Sequence, residues 1–200
     1  SSAAGTAGAA FGLGASADGD YSTALGGGAV ADGFNSTAVG NASAASGLLG
    51  VAVGADSQAS GDFSTAIGTV AIASGDDSVA LGMFADASAS GSVAVGAYSV
   101  ADRENSVSVG SAGNERQITN VADGTEATDA VNLGQLEDAT AQLDYVQATG
   151  AGQAYAMGDD ATAVGSDAFA DGDYATSVGA GSSAYGTGAS AFGSGAQADG

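Results

Sequence analysis

The sequence predicts an all-β solenoid, a parallel β-roll with fourteen-residue coils. Three observations predict it. Glycines stand at 12, 26, 40, 54, 68, 82, 96 and 110, each fourteen after the last. The residue before each is large and apolar: Phe11, Leu25, Val39, Val53, Ile67, Leu81, Val95 and Val109. Five residues after the glycine comes an alanine, from Ala17 and Ala31 through to Ala101. A fixed internal period marks a chain built by stacking one unit on itself.

Each coil reads as two short strands and two turns. Thr37-Ala38-Val39 is β-compatible and ends at Gly40, and Ser43-Ala44-Ala45 is a second run ending at Gly47. Glycines at both corners are expected to supply backbone angles closed to other residues. The second run alternates, with small residues such as Ser57 and Ala59 on one side and mixed residues such as Asp56 and Gln58 on the other. That is the pattern of a half-buried strand. Coils stacked at the strand spacing place Gly12 and Gly110 roughly 34 Å apart.

A second block repeats the pattern, with Gly165, Gly179 and Gly193 preceded by Val164, Val178 and Phe192. The step from Gly110 to Gly165 is 55 residues, one short of four repeats, so the phase breaks between the blocks. Disorder and silk-like packing, which a chain rich in glycine, alanine and serine suggests by composition, do not explain one apolar type held at one phase.

The first run of every coil lacks charge on both sides. One side faces the interior, and the other needs a cover. The apolar ladder Leu25, Val39, Val53, Ile67, Leu81, Val95, Val109, Val164 and Val178 is expected to build the core or the contact between chains, in a homo-oligomer packed through this sheet. Volume favours Val and Leu packing inward against the small alanines of the second run.

Charge and composition exclude much. The 200 residues carry 2 basic and 23 acidic side chains, a net charge of −21, with no Lys, His, Cys, Pro or Trp. No disulfide, thiolate or imidazole chemistry is available, and without Lys there is no Schiff base. Two arginines do not track a phosphate backbone, so no nucleic-acid partner is expected. Serine is abundant but has no base. No catalytic residue, metal site, cofactor or enzyme activity is expected. No apolar run is long enough for a membrane-spanning helix. No charged segment precedes the apolar residues at the start, so no signal peptide is expected there.

Carboxylates gather at the second corner, as in Asp18-Gly19-Asp20, Gly61-Asp62, Gly75-Asp76 and Asp171-Gly172-Asp173. A calcium-binding ladder is one reading. A solvated turn is the simpler one, because Asp suits turns.

Residues 113–145 differ in kind. Thr128 or Thr125 is a candidate cap for a helix beginning near Asp129. Leu133, Leu136, Thr140 and Leu143 follow a 3-4-3 spacing that suits a short helical seam between chains. Arg116 is expected to pair with a carboxylate of a neighbouring chain.

Here a resemblance becomes specific. Asn35-Ser36-Thr37-Ala38-Val39-Gly40 and Asn105-Ser106-Val107-Ser108-Val109-Gly110 are similar to the Asn-Ser-Val-Ala-Ile-Gly head motif of the trimeric autotransporter adhesins with YadA-like heads. Gln117-Ile118-Thr119-Asn120-Val121-Ala122, running on to Thr128-Asp129-Ala130-Val131-Asn132-Leu133-Gly134-Gln135-Leu136, resembles that family's neck. The resemblance implies a left-handed roll and a homotrimer. It implies a head over 1–112, a neck over 113–136, a short α-helical coiled coil over 137–146, and a second, incomplete head over 147–200. The neck positions it implies are Arg116, Ile118, Asn120, Val121, Asp129, Val131, Leu133 and Leu136. It also implies a passenger fragment on the surface of a Gram-negative bacterium, anchored in the outer membrane through a missing C-terminal region. The expected function is multivalent attachment to an extracellular matrix protein, a cell-surface ligand or a surface. The alternative is a spacer that sets the reach of the fibre without a ligand of its own. Ice binding fits poorly, because Thr23, Thr37 and Thr65 alternate irregularly with Val51, Val79 and Val93.

Overall fold

The computed structural model describes residues 1–141 and 152–200. Two compact units are present, Ser1–Ile118 and Thr119–Gly200.

The first unit is the roll that the period predicts. Three-residue strands such as Thr37–Val39, Val51–Val53 and Thr65–Ile67 alternate with two-residue strands such as Ala44–Ala45 and Gln58–Ala59. The three-residue strands, closed by the short Val107–Ser108, form one eight-stranded parallel sheet, and the two-residue strands form another. Pairing joins each residue to the one fourteen positions on, as Thr37 to Val51, Ala38 to Ala52 and Val39 to Val53. The same architecture returns in the second unit, with four-stranded and three-stranded parallel sheets. There Thr162–Val164 pairs with Thr176–Val178, and Phe169–Ala170 with Ser183–Ala184.

The expectation that Val and Leu pack inward is overturned. From Thr23–Leu25 to Val93–Val95 the middle alanine of each three-residue strand is buried: Ala24, Ala38, Ala52, Ala66, Ala80 and Ala94 are all at most 1% exposed. The flanking residues point outward, and Leu25, Ile67, Leu81 and Val95 are each more than a third exposed. Val39, Val53, Val109, Val164 and Val178 are half-buried on their outward side. The reason is room. Residues 40–43 and 46–50 make both connections of a coil, and corners this short hold the sheets close. Ala and Ser fill the gap, and the buried polar residues are all serines. Ser64 Oγ donates to the Gly61 carbonyl at 2.6 Å, closing a corner from inside.

The corners divide their work differently from the expectation. At the first corner the glycines do adopt left-handed angles, with Gly40 and Gly54 at φ 136° and 137°. At the second corner Gly47 and Gly61 do not. They are needed because a Cβ at Gly47 collides with the carbonyl of Gly61 one coil on. The left-handed residue comes two positions later and is seldom glycine: Tyr21, Asn35, Leu49, Phe63 and Asp77 have φ between 53° and 60°. For a residue with a Cβ that conformation costs about 1–2 kcal/mol.

Candidate functional site

Four features of the sequence bear on what the chain does: the apolar ladder, the corner carboxylates, Arg116 and the neck.

The apolar ladder is an outward face. Thr37 and Val39 flank the buried Ala38, and the in-register pairing repeats this side chain for side chain along the sheet. No charge interrupts it from Thr23–Leu25 to Val93–Val95. A sheet face this apolar and this regular is a contact surface.

The corner carboxylates have a structural use. At the second corner one backbone N–H per coil has no partner in the ladder. Asp20 Oδ1 accepts from the Thr6 N–H at 2.7 Å, Asp62 Oδ1 from Leu48 at 2.9 Å, and Asp76 Oδ1 from Asp62 at 3.0 Å. Asp173 does the same for Asp159 in the second unit, at 3.0 Å. Each aspartate thus satisfies the coil before its own. The Thr6 N–H holds the Asp20 carboxyl below the ordinary aspartate value, because the bond favours the charged form. Among the described residues, no group of three or more acidic side chains is placed to hold a metal ion.

Arg116 is committed within its own chain. Interior carbonyls accept from an N–H on the next coil, as Val39 does from Gly54 at 2.8 Å. Val95, Ala97 and Val109 lack that donor. Ser99 Oγ donates to the Val95 carbonyl at 2.7 Å. Arg116 Nη2 donates to the Ala97 carbonyl at 2.5 Å. Its Nη1 donates to the Val109 carbonyl at 2.7 Å and to Ser99 Oγ at 3.0 Å. One guanidinium, with its fixed fork of donors, replaces part of a missing coil. Within its own chain Arg116 is a cap on the end of the roll. Beside it a cleft of about 730 Å³ opens among Val100, Val107, Val109, Glu115 and Arg116. The Glu115 carboxyl is held below its ordinary value by the Gly113 N–H, which reaches it at 2.9 Å.

The neck helix starts later than expected. It spans Leu133–Ala141. Asp129 does not open it; its Oδ2 accepts from the Thr125 and Glu126 N–H groups, both at 3.0 Å, and these bonds hold its carboxyl below the ordinary value. The cap is Asn132, whose Oδ1 accepts from the Gln135 N–H at 3.0 Å. Gln135 Oε1 reaches back to the Asn132 N–H at 3.4 Å, a reciprocal capping box. The same amide pairs with Gly124 in both directions, at 2.9 and 3.0 Å. Asn132 Nδ2 donates to the Val121 carbonyl and to Asp123, at 3.1 and 2.7 Å. The sequence reading missed Asn132 and Gln135, although Asn followed three residues later by Gln is the signal that finds such a box. Asn120 takes a left-handed φ of 60°. Ile118, Val131, Leu133 and Leu136 are each more than half exposed, and Val121 is half-buried. Leu143 and the rest of the expected seam beyond Ala141 lie outside the described residues.

A model of the YadA head domain repeat matches residues 3–29, 31–57, 45–71, 59–85, 87–112 and 156–182. A model of the coiled stalk of trimeric autotransporter adhesins matches residues 117–156. The chain belongs to the trimeric autotransporter adhesins. The adhesin is similar to the crystal structure of the collagen-binding domain of the Yersinia adhesin YadA, with 35% identity and a TM-score of 0.65. That match covers 70% of this chain and 86% of the other. No curated protein matches the adhesin. Its region is the head-bearing passenger of a cell-surface adhesin. None of its helices among the described residues is long and apolar enough to cross a membrane.

Proposed function

We propose that the chain works as a homotrimer that attaches by multivalency to an extracellular matrix protein or a cell-surface ligand. The observation that carries the trimer is the outward apolar ladder of Leu25, Ile67, Leu81 and Val95, more than a third exposed in the single chain. The exposed Ile118, Val131, Leu133 and Leu136 of the neck support it, because a lone chain leaves all of this area in water. Three identical rolls present each weak site three times, and stacked coils present it again along the axis. The structural neighbour is a collagen-binding domain, which supports a matrix ligand. Membership of the family supports a place on the surface of a Gram-negative bacterium, held in the outer membrane, and a role without catalysis. The division into a head over 1–112, a neck over 113–136, a coiled-coil segment over 137–146 and a second head over 147–200 belongs to the same reading.

Light scattering on the purified chain is expected to give three times the monomer mass, and a monomer in dilute solution overturns the trimer. Deleting residues 1–110 from the full fibre is expected to abolish attachment. Unchanged attachment makes the head a spacer.

A further inference from the structure

Exposed aromatic rings stand at the second corner of the first roll. Tyr21 and Phe63 occupy the left-handed column, at φ 60° and 58°. Asn35, Asp77 and Asn105 fill other places in that column, and these types tolerate the conformation better than an aromatic residue does. Burial does not offset the strain, since Tyr21 is 55% exposed and Phe63 53%. Phe34, one column over, is 50% exposed and meets the Tyr21 ring edge-on at 5.7 Å. The coil sets this conformation whatever the residue, as at Leu49 and Asp77, so it is the exposure of large rings at this corner that points to contact with something outside the chain.

Charge selects the partner. The chain carries 23 acidic and 2 basic side chains, and Asp32 and Asp77 stand exposed along the same corner. Rings set among carboxylates suit a cation that stacks as well as pairs, which is the guanidinium. Tyr21 and Phe63 are three coils apart, about 14 Å at the strand spacing, the reach of about four residues of extended chain.

We propose that this ridge of Tyr21, Phe34 and Phe63 is a docking surface for an extended, arginine-rich polypeptide segment laid along the roll axis. The inference rests on the adhesin reading and specifies the chemistry of what the head grips.

The test uses the full chain with a fluorescent nona-arginine peptide and a nona-lysine control, read by anisotropy in physiological salt. The wild type is expected to prefer nona-arginine over nona-lysine by at least fivefold. The triple variant Tyr21→Asn, Phe34→Asn, Phe63→Asn keeps the net charge and relieves the left-handed strain. It is expected to bind nona-arginine at least tenfold more weakly, to lose the preference over lysine, and to melt no lower than the wild type. Nona-arginine binding within twofold of wild type overturns the proposal, as does a melting temperature lowered by more than about 5 °C, which assigns the rings to packing between chains. Attachment of the wild-type chain to matrix-coated surfaces, measured beside it, reads the adhesin function separately. Attachment that survives in the triple variant while its peptide binding is unchanged removes the ridge and leaves the adhesin.

Discussion

The interior of the first roll and the place where it stops solve the same problem in opposite ways. Between Gly12 and Gly82 the same backbone bonds recur from coil to coil, as the Gly40 N–H meets the Leu25 carbonyl and the Gly54 N–H that of Val39. One residue type recurs at the positions that matter most: Ala38 and its equivalents fill the core, Gly47 and its equivalents admit the next carbonyl. From Gly96 onward there is no next coil. Gly96 falls to φ 105° from the 135° of Gly82. The Val100 N–H turns to the Gly110 carbonyl at 2.9 Å, where the Asp86 N–H of an interior coil reaches the Ser99 carbonyl thirteen positions on. Side chains used once, Ser99 and Arg116, then take over the orphaned carbonyls. Repetition is an inexpensive way to satisfy a backbone, and ending it requires specific side chains.

The contrast is broken first at the interior. Gly54→Ala meets both a left-handed φ and the Gly68 carbonyl, while Gly47→Ala meets only the Gly61 carbonyl. Urea denaturation is expected to show Gly54→Ala losing on the order of 4 kcal/mol per chain and Gly47→Ala about 3 kcal/mol. The reverse ranking removes the distinction between the two corners.

The end of the roll comes next. Arg116→Ala leaves the Ala97 and Val109 carbonyls without their donor and is expected to cost about 2 kcal/mol. Arg116→Lys is expected to recover less than half of it, because an ammonium lacks the fork. An unchanged melting temperature in Arg116→Ala takes the cap away from Arg116. In the neck, Gln135→Ala removes the capping box and both bonds to Gly124, with an expected cost of about 1 kcal/mol. Faster amide exchange at Gly124 and in the first turn of the helix is the sharper readout.

The smallest effect is pH-dependent. Asp129, Asp20 and Glu115 have carboxyls lowered in the folded chain. Their contribution is therefore complete above the ordinary carboxylate range near 4 and fades as pH falls through the lowered values. The stability difference between wild type and Asp129→Ala is expected to be greatest at neutral pH and to close in acid. A difference independent of pH separates Asp129 from this linkage.

Legibility followed the same division. The stack was readable because each coil states its pattern again, so that Val39, Val53 and Ile67 at one phase outweigh any ambiguity in a three-residue strand. The neck contacts were not. Asn132 and Gln135 occur once, and their partners at Val121, Asp123 and Gly124 lie nine to eleven residues away across an irregular segment. Thr125 and Thr128 fit a helix beginning near Asp129, but the helix begins at Leu133 and Asn132 caps it, while Asp129 binds the Thr125 and Glu126 N–H groups.

By itself the sequence determined the period, the parallel in-register stack and the corner positions, because a fourteen-residue repeat with glycine at one phase has few ways to satisfy its backbone. The tertiary structure alone decided which side of the first strand is inside. Alternation leaves Ala38 and Val39 equal claims on the interior. The separation of the two sheets, set by corners closed over a few residues, admits only Ala and Ser there and turns the larger side chains outward. That choice makes the apolar ladder a surface instead of a core.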